Sequence, residues 1–255
     1  MTALSPDILV VLTVAALLTS TLSGILGMGG GATLLGVMGL MLPPAAVVPL
    51  HAVVQLVSNL TRSLALLTKV QWRFALPFAV GLVPGMWLAR TLWMALPSSG
   101  KNIWLRALLG AVLLLFLVLR RVGPKRIHLP RWGFLPLGVC AGFVALFVGA
   151  VGPFIAPFFL RDDLEPEEIV ATKAGSVFVA HLTKIPVLWA MAFPFGDYAV
   201  PLGVLCTAVV VGTLIGRAVL ARVARETFVR WFEGVLFVLG VSLVGQTLWL
   251  TMQPA

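Results

Sequence analysis

Two stretches of this 255-residue chain carry polar side chains at spacings that gather them on one face of a helix. At 3.6 residues per turn, Lys173, Ser176, Val177, Ala180 and Lys184 share one narrow sector, with His181 at its edge and Thr172 adjoining Lys173. His51, Gln55, Ser58 and Arg62 share a matching sector of an earlier segment, with Asn59 at its edge. The surroundings are apolar, and ionisable groups in such segments are expensive unless they face a cavity or a partner. Lys173 is the sharpest candidate because it lies well inside its segment. Arg62 and Lys184 lie nearer segment ends, where reaching out to polar surroundings is an equal alternative. No carboxylate lies well inside these segments, the nearest case being Glu233 near the start of the last one. Cations embedded without partner anions imply that an anion is the cargo.

Glycine-rich breaks precede two short apolar segments. GMGGG at 27–31 supplies Gly27, Gly29, Gly30 and Gly31, and GAVGP at 149–153 supplies Gly149, Gly152 and Pro153. Without a Cβ, backbone N–H groups can converge and a ligand can approach closely. At the start of a helix, free N–H groups and the positive dipole end make an anion site that needs no charged side chain. The competing reading is that these glycines only let helices pack closely. Pro153 suits a first helical position, so the two breaks share placement but differ in chemistry.

The two regions are copies. A shift of about 122 residues superposes Gly27 on Gly149, Gly30 on Gly152, Pro44 on Pro166, Leu60-Thr61 on Leu182-Thr183 and Gly81 on Gly203. It also sets His51 against Lys173, Asn59 against His181 and Arg62 against Lys184. Corresponding interrupted segments in two halves are the sequence pattern of a secondary transporter.

Composition fixes the solvent. Hydrophobic residues make up 60% of the chain and charged residues only 11%, so a water-soluble surface could not cover the core. Apolar segments run near 8–26, 45–67, 74–96, 103–120, 133–150, 167–190, 198–220 and 228–251, long enough for a bilayer of roughly 30 Å. The fold class expected is an all-α polytopic membrane protein, with an N-terminal repeat 1–122, a basic linker 123–132 and a C-terminal repeat 133–255. The net charge of +9 sits mostly at segment ends, which fits topology signals and excludes nucleic acid as the partner. Cys140 and Cys206 lie inside apolar spans and imply neither disulfide nor metal. The leading segment carries Asp7 and no Lys or Arg, so it reads as a first membrane helix and not a signal peptide. Most tryptophans fall near segment ends as interfacial anchors.

Short segments at 31–42 and about 153–160 span roughly 18 and 12 Å if helical, too little for a full crossing. If they do not count, Lys69, Arg73, Arg120, Arg121, Lys125, Arg126 and Arg131 face one side, and Lys101, Arg106, Arg161, Arg217, Arg222, Arg225 and Arg230 the other. If they count, only Lys101 and Arg106 stay apart from the remaining cations. That bias favours ten segments in two inverted sets of five, with both termini outside the cytoplasm. The acidic residues Asp162, Asp163, Glu165, Glu167 and Glu168 precede a helix at Pro166 and read as N-terminal capping.

The segments GILGMGGGATLLG, VGAVGPFIAPFFLRDDL and ATKAGSVFVAHLTK resemble the TauE/SafE family, the sulfite exporter-like membrane permeases. The resemblance covers essentially the whole chain, and GMGGG, TKA and HLTK match the family pattern, while GAVGP departs from its plainest form. It implies a multi-pass protein of the bacterial inner membrane that moves sulfite, an organosulfonate such as sulfoacetate, or a related carboxylate. Export is the expected direction, a proton-coupled importer or an anion channel the alternative. No HExxH, GxSxG or membrane aspartate pair supports an intramembrane enzyme. The expected partners are a small anion, membrane lipid, protons as a coupling ion and a second copy of the chain. No cofactor is expected.

Overall fold

The computed structural model describes residues 4–26, 29–95 and 127–219, with isolated positions 111, 114, 118, 237, 241 and 245. Eight α-helices lie in this part: α1 (Pro6–Leu26), α2 (Gly30–Met41), α3 (Pro44–Ala65), α4 (Trp72–Ala95), α5 (Phe134–Val148), α6 (Gly152–Phe159), α7 (Pro166–Ala190) and α8 (Ala199–Val219). The expected segments near 103–120 and 228–251 lie outside the described residues. Boundaries follow local chemistry. Pro44 and Pro166 open α3 and α7, where a missing N–H costs nothing. At Glu165 a capping box closes the start of α7, and its N–H donates to the Glu168 carboxylate at 2.9 Å.

Four stretches are long and apolar enough to cross a membrane: Pro6–Gly24, Pro44–Ala65, Trp72–Ala95 and Phe195–Ala218. The 25 residues of α7 include Glu167, Glu168, Lys173 and Lys184, which keep it out of that group despite its length. The outward faces are greasy: Val10, Val14 and Leu18 on α1, Val80 and Trp87 on α4, and Val200 and Ile215 on α8 are exposed. His51, Gln55, Asn59, Lys173, His181 and Lys184 are buried. Apolar outside and polar inside is the distribution a lipid solvent selects. The chain is therefore an all-helical integral membrane protein.

Lipid offers no hydrophobic gain for pairing apolar helices, so close packing must do it. The two most extensive interfaces join α4 to α5 and α1 to α8, and both are lined by glycine. A Cβ on Gly81 or Gly85 would overlap the carbonyl of Leu135 or Val139, and one on Gly138 or Gly142 that of Phe78 or Leu82. In the other seam, a Cβ on Gly212 or Gly216 would overlap the carbonyl of Leu17 or Thr21, and one on Gly24 would lie 3.0 Å from the Gly216 Cα. The 122-residue shift exchanges α1 with α5, α2 with α6, α3 with α7 and α4 with α8. It therefore turns one seam into the other and leaves the central α3–α7 contact in place.

Ion pairs locate the loops. Lys69, after α3, lies 3.4 Å from Glu165 and 3.9 Å from Glu167 at the start of α7. Arg73 and Arg161 both reach Asp163, at 3.5 and 2.7 Å, and His128 lies 3.6 Å from Asp162. The loops after α3 and after α6 therefore meet on one face, where Lys69, Arg73 and Arg161 pair with the carboxylates before and at the start of α7. The end of α3 sits beside the start of α7, so these two helices run antiparallel. Asp162 and Asp163 are partners of the basic loops, while Glu165 and Glu168 form the cap. The Arg161 guanidinium bonded to Asp163 holds that carboxyl below the usual carboxylate range.

Candidate functional site

Among the described residues, each break has one glycine with a positive φ, a conformation that side chains with a Cβ rarely adopt. Gly29 has φ 99° and caps α2, where the N–H groups of Ala32 and Thr33 donate to its carbonyl. Gly149 has φ 80° and caps α5 through its N–H to the Ala145 carbonyl at 3.1 Å. Both short helices start from these turns and touch each other. Their positive N-terminal ends are thereby brought together from the two halves.

Between them and the α3–α7 pair lies a cavity of about 40 Å³. Ser23, Gly29, Gly31 and Ala32 line it from the first break, and Ala150, Val151 and Gly152 from the second. Helix α3 contributes His51, Gln55, Asn59 and Arg62, and α7 contributes Lys173, Val177 and His181. At about 10–15 Å³ per water-sized sphere, the space holds roughly three such spheres. It fits an ion of a few heavy atoms. Lys173 is 5% exposed, and its ammonium has no hydrogen-bond partner among the described residues. Neither Arg62 Nε nor the Nδ1 atoms of His51 and His181 has a partner there either. The imidazoles meet edge to face, with centroids 5.8 Å apart. Among the described residues, no carboxylate lines the cavity. An amine, a guanidinium and two imidazoles thus converge on one space.

The family model described as sulfite exporter TauE/SafE matches residues 12–243, nearly the whole chain. The chain belongs to the sulfite exporter TauE/SafE family. No curated protein and no solved structure matches it. TauE/SafE is a family of membrane transporters and not of enzymes, which agrees with the lack of any hydrolytic motif.

Within this TauE/SafE chain, several residues expected at the site stand elsewhere. Gly30 faces α1, where a Cβ would overlap the Thr19 carbonyl, so close packing accounts for it. The Thr172 hydroxyl accepts the Gln71 N–H at 2.9 Å, and Ser176 donates to the Thr172 carbonyl at 2.8 Å. Neither lines the cavity. Lys184 is fully buried and donates to the Gly149 carbonyl at 2.9 Å, so it does not reach out to polar surroundings. Gly149 turns the chain without lining the cavity, Pro153 is described only through its backbone, and Gly27 lies outside the described residues. Conversely, Ser23, Ala32, Ala150, Val151 and Val177 line the cavity without having been singled out as site residues. The signal for Ser23 was a hydroxyl about one turn before the break; for Ala150 and Val151 it was their place between Gly149 and Gly152.

Proposed function

We propose that this protein carries a sulfite-sized oxyanion out through the bacterial inner membrane, holding it in the cavity between the two breaks. The observation that carries the reading is the convergence on one cavity of Lys173, Arg62 with its unpartnered Nε, and the N-terminal ends of α2 and α6. One sulfur with three oxygens suits a cavity of about 40 Å³ better than the longer sulfoacetate does. Gly31 stands against Gln55, and Asn59 donates to the Gln55 carbonyl at 2.8 Å, which fixes the amides beside the cations. Export needs no coupling ion, because an interior-negative potential expels a monoanion with about 2.3 kcal/mol per 100 mV. Antiparallel α3 and α7 and the exchange of contacts between halves support an inverted repeat, with the basic face towards the cytoplasm.

A second reading, proton-coupled movement, draws on His51. A carbonyl only accepts, so at 2.8 Å from the Gly31 oxygen His51 Nε2 carries the hydrogen, and in the neutral ring Nδ1 keeps its lone pair. That atom accepts a hydrogen from a protonated anion, or takes a proton and then donates. Flux into protein-only liposomes separates the readings, using sulfite, sulfate, thiosulfate, sulfoacetate and simple carboxylates with and without a pH gradient. Sulfite flux that follows the potential alone supports uncoupled export; flux that appears only with the gradient supports coupling. No flux of any anion overturns both.

A further inference from the structure

Lys184 and Arg62 occupy equivalent places in the two halves, yet they do different work. Arg62 lines the cavity with an unpartnered Nε. Lys184 is turned away from it and fully buried, its ammonium bonded to the carbonyl of the residue that turns the second break. That residue, Gly149, is wedged from the other side as well. A Cβ added to it would lie 2.8 Å from Leu35 Cδ1 on α2 and 3.6 Å from Val48 Cγ2 on α3. The carbonyl is one that α5 cannot use, since the helix ends at Val148. Just beyond it, Ala150, Val151 and Gly152 form a wall of the cavity.

We propose that Lys184 is a positioning residue: it ties the second helix break to α7 and so fixes the Ala150–Gly152 wall against which the anion is held. Its meaning for transport rests on the anion-site reading, but the tether itself can be measured with no substrate present. A donor is needed at this point because a carbonyl at a buried helix end is costly when left unpaired. An ammonium makes the stronger, charge-assisted bond. Arginine at the equivalent place in the first half shows that the α3–α7 architecture admits either cation.

The test places a reporter thiol in the wall, as Ala150→Cys, with Cys140 and Cys206 replaced by serine. Purified full-length protein is labelled with the neutral reagent methyl methanethiosulfonate, without any anion. Adding Lys184→Met should raise the labelling rate about tenfold or more, the factor that losing one charge-assisted hydrogen bond gives a local opening. Lys184→Arg should bring the rate most of the way back, and Lys173→Met should not raise it, since removing a cavity cation can only disfavour the reacting thiolate. If Lys184→Met does not yield folded protein, Lys184→Gln, which shortens the reach to the carbonyl, serves in its place. A rate within about twofold of the parent in the Met or Gln variant overturns the tether, as does an equal rise in Lys173→Met. If no anion binds wild-type protein but the labelling pattern holds, the transport reading fails and the tether stands.

Discussion

Replacing Lys173 with methionine should move anion affinity and empty-protein stability in opposite directions. Lys173 is 5% exposed and its side-chain nitrogen has no hydrogen-bond partner among the described residues, so the empty protein bears its desolvation without compensation. Methionine keeps much of the stem and removes the charge. The thermal midpoint of the purified, anion-free variant should therefore equal or exceed that of wild type. Binding should suffer, because a charge-assisted hydrogen bond to an oxyanion contributes about 1.5–3 kcal/mol. At 1.4 kcal/mol per decade, Kd for sulfite rises roughly 10- to 150-fold. Lys173→Arg should recover only part, since a planar guanidinium cannot occupy the same compact position beside Arg62. Calorimetry under anaerobic conditions gives Kd, and thermal unfolding in the same detergent gives the midpoint. A folded Met variant whose Kd stays within about threefold of wild type would refute the reasoning and place the cargo elsewhere.

The glycines of the first break should separate by role. Gly30→Ala drives a Cβ into the Thr19 carbonyl and should cut folded yield; normal yield on size-exclusion chromatography would contradict that packing. Gly29→Val must adopt φ near 99°, a strain of about 1–3 kcal/mol, and should lose flux in vesicles that still contain folded protein. At the basic face, the depressed Asp163 carboxyl contributes stability that is present above its unfolded pKa of about 3.9 and lost as pH falls through its lower folded value. Asp163→Asn should therefore lower the midpoint slightly at neutral pH, flatten its decline below about pH 4 and weaken its salt dependence, the effect staying small because the pair is largely exposed. A cysteine in place of the exposed Thr68 should react with a membrane-impermeant maleimide in inverted vesicles and not in right-side-out ones. The reverse would turn the topology over.

Much of the helical framework is legible because lipid removes alternatives: in hydrocarbon the backbone must bond within its own segment, so apolar runs become helices between Pro44, Pro166 and the glycines. The cavity is legible in part for the same reason, since His51, Gln55, Asn59, Arg62, Lys173 and His181 are expensive anywhere else. Which polar residues face the cavity is a different matter. Lys184 shares the helix and the sector of Lys173 and Thr172 adjoins it in sequence, but their partners, the Gly149 carbonyl and Gln71 N–H, lie 35 and 101 residues away and appear only when the chain is folded. Helical spacing gives a face, not the depth at which a neighbouring backbone bends towards it. Repetition also misleads locally: Gly203 matches Gly81 in sequence, yet Gly81 is pressed on Leu135 while Gly203 meets nothing within 4 Å. The packing glycines of α8 fall farther along, at Gly212 and Gly216, because the seams use different registers.

The glycine seams have a mechanical consequence. Each joins a helix of the first half to one of the second at backbone distance, so sliding one sequence half over the other would have to prise open both seams at once. Among the described residues, backbones approach most closely between α1 and α8 and between α4 and α5. The closest packing therefore crosses from one sequence half to the other. A chain severed in its basic linker would part helices that were packed against each other's carbonyls, and neither fragment would retain its tightest contact.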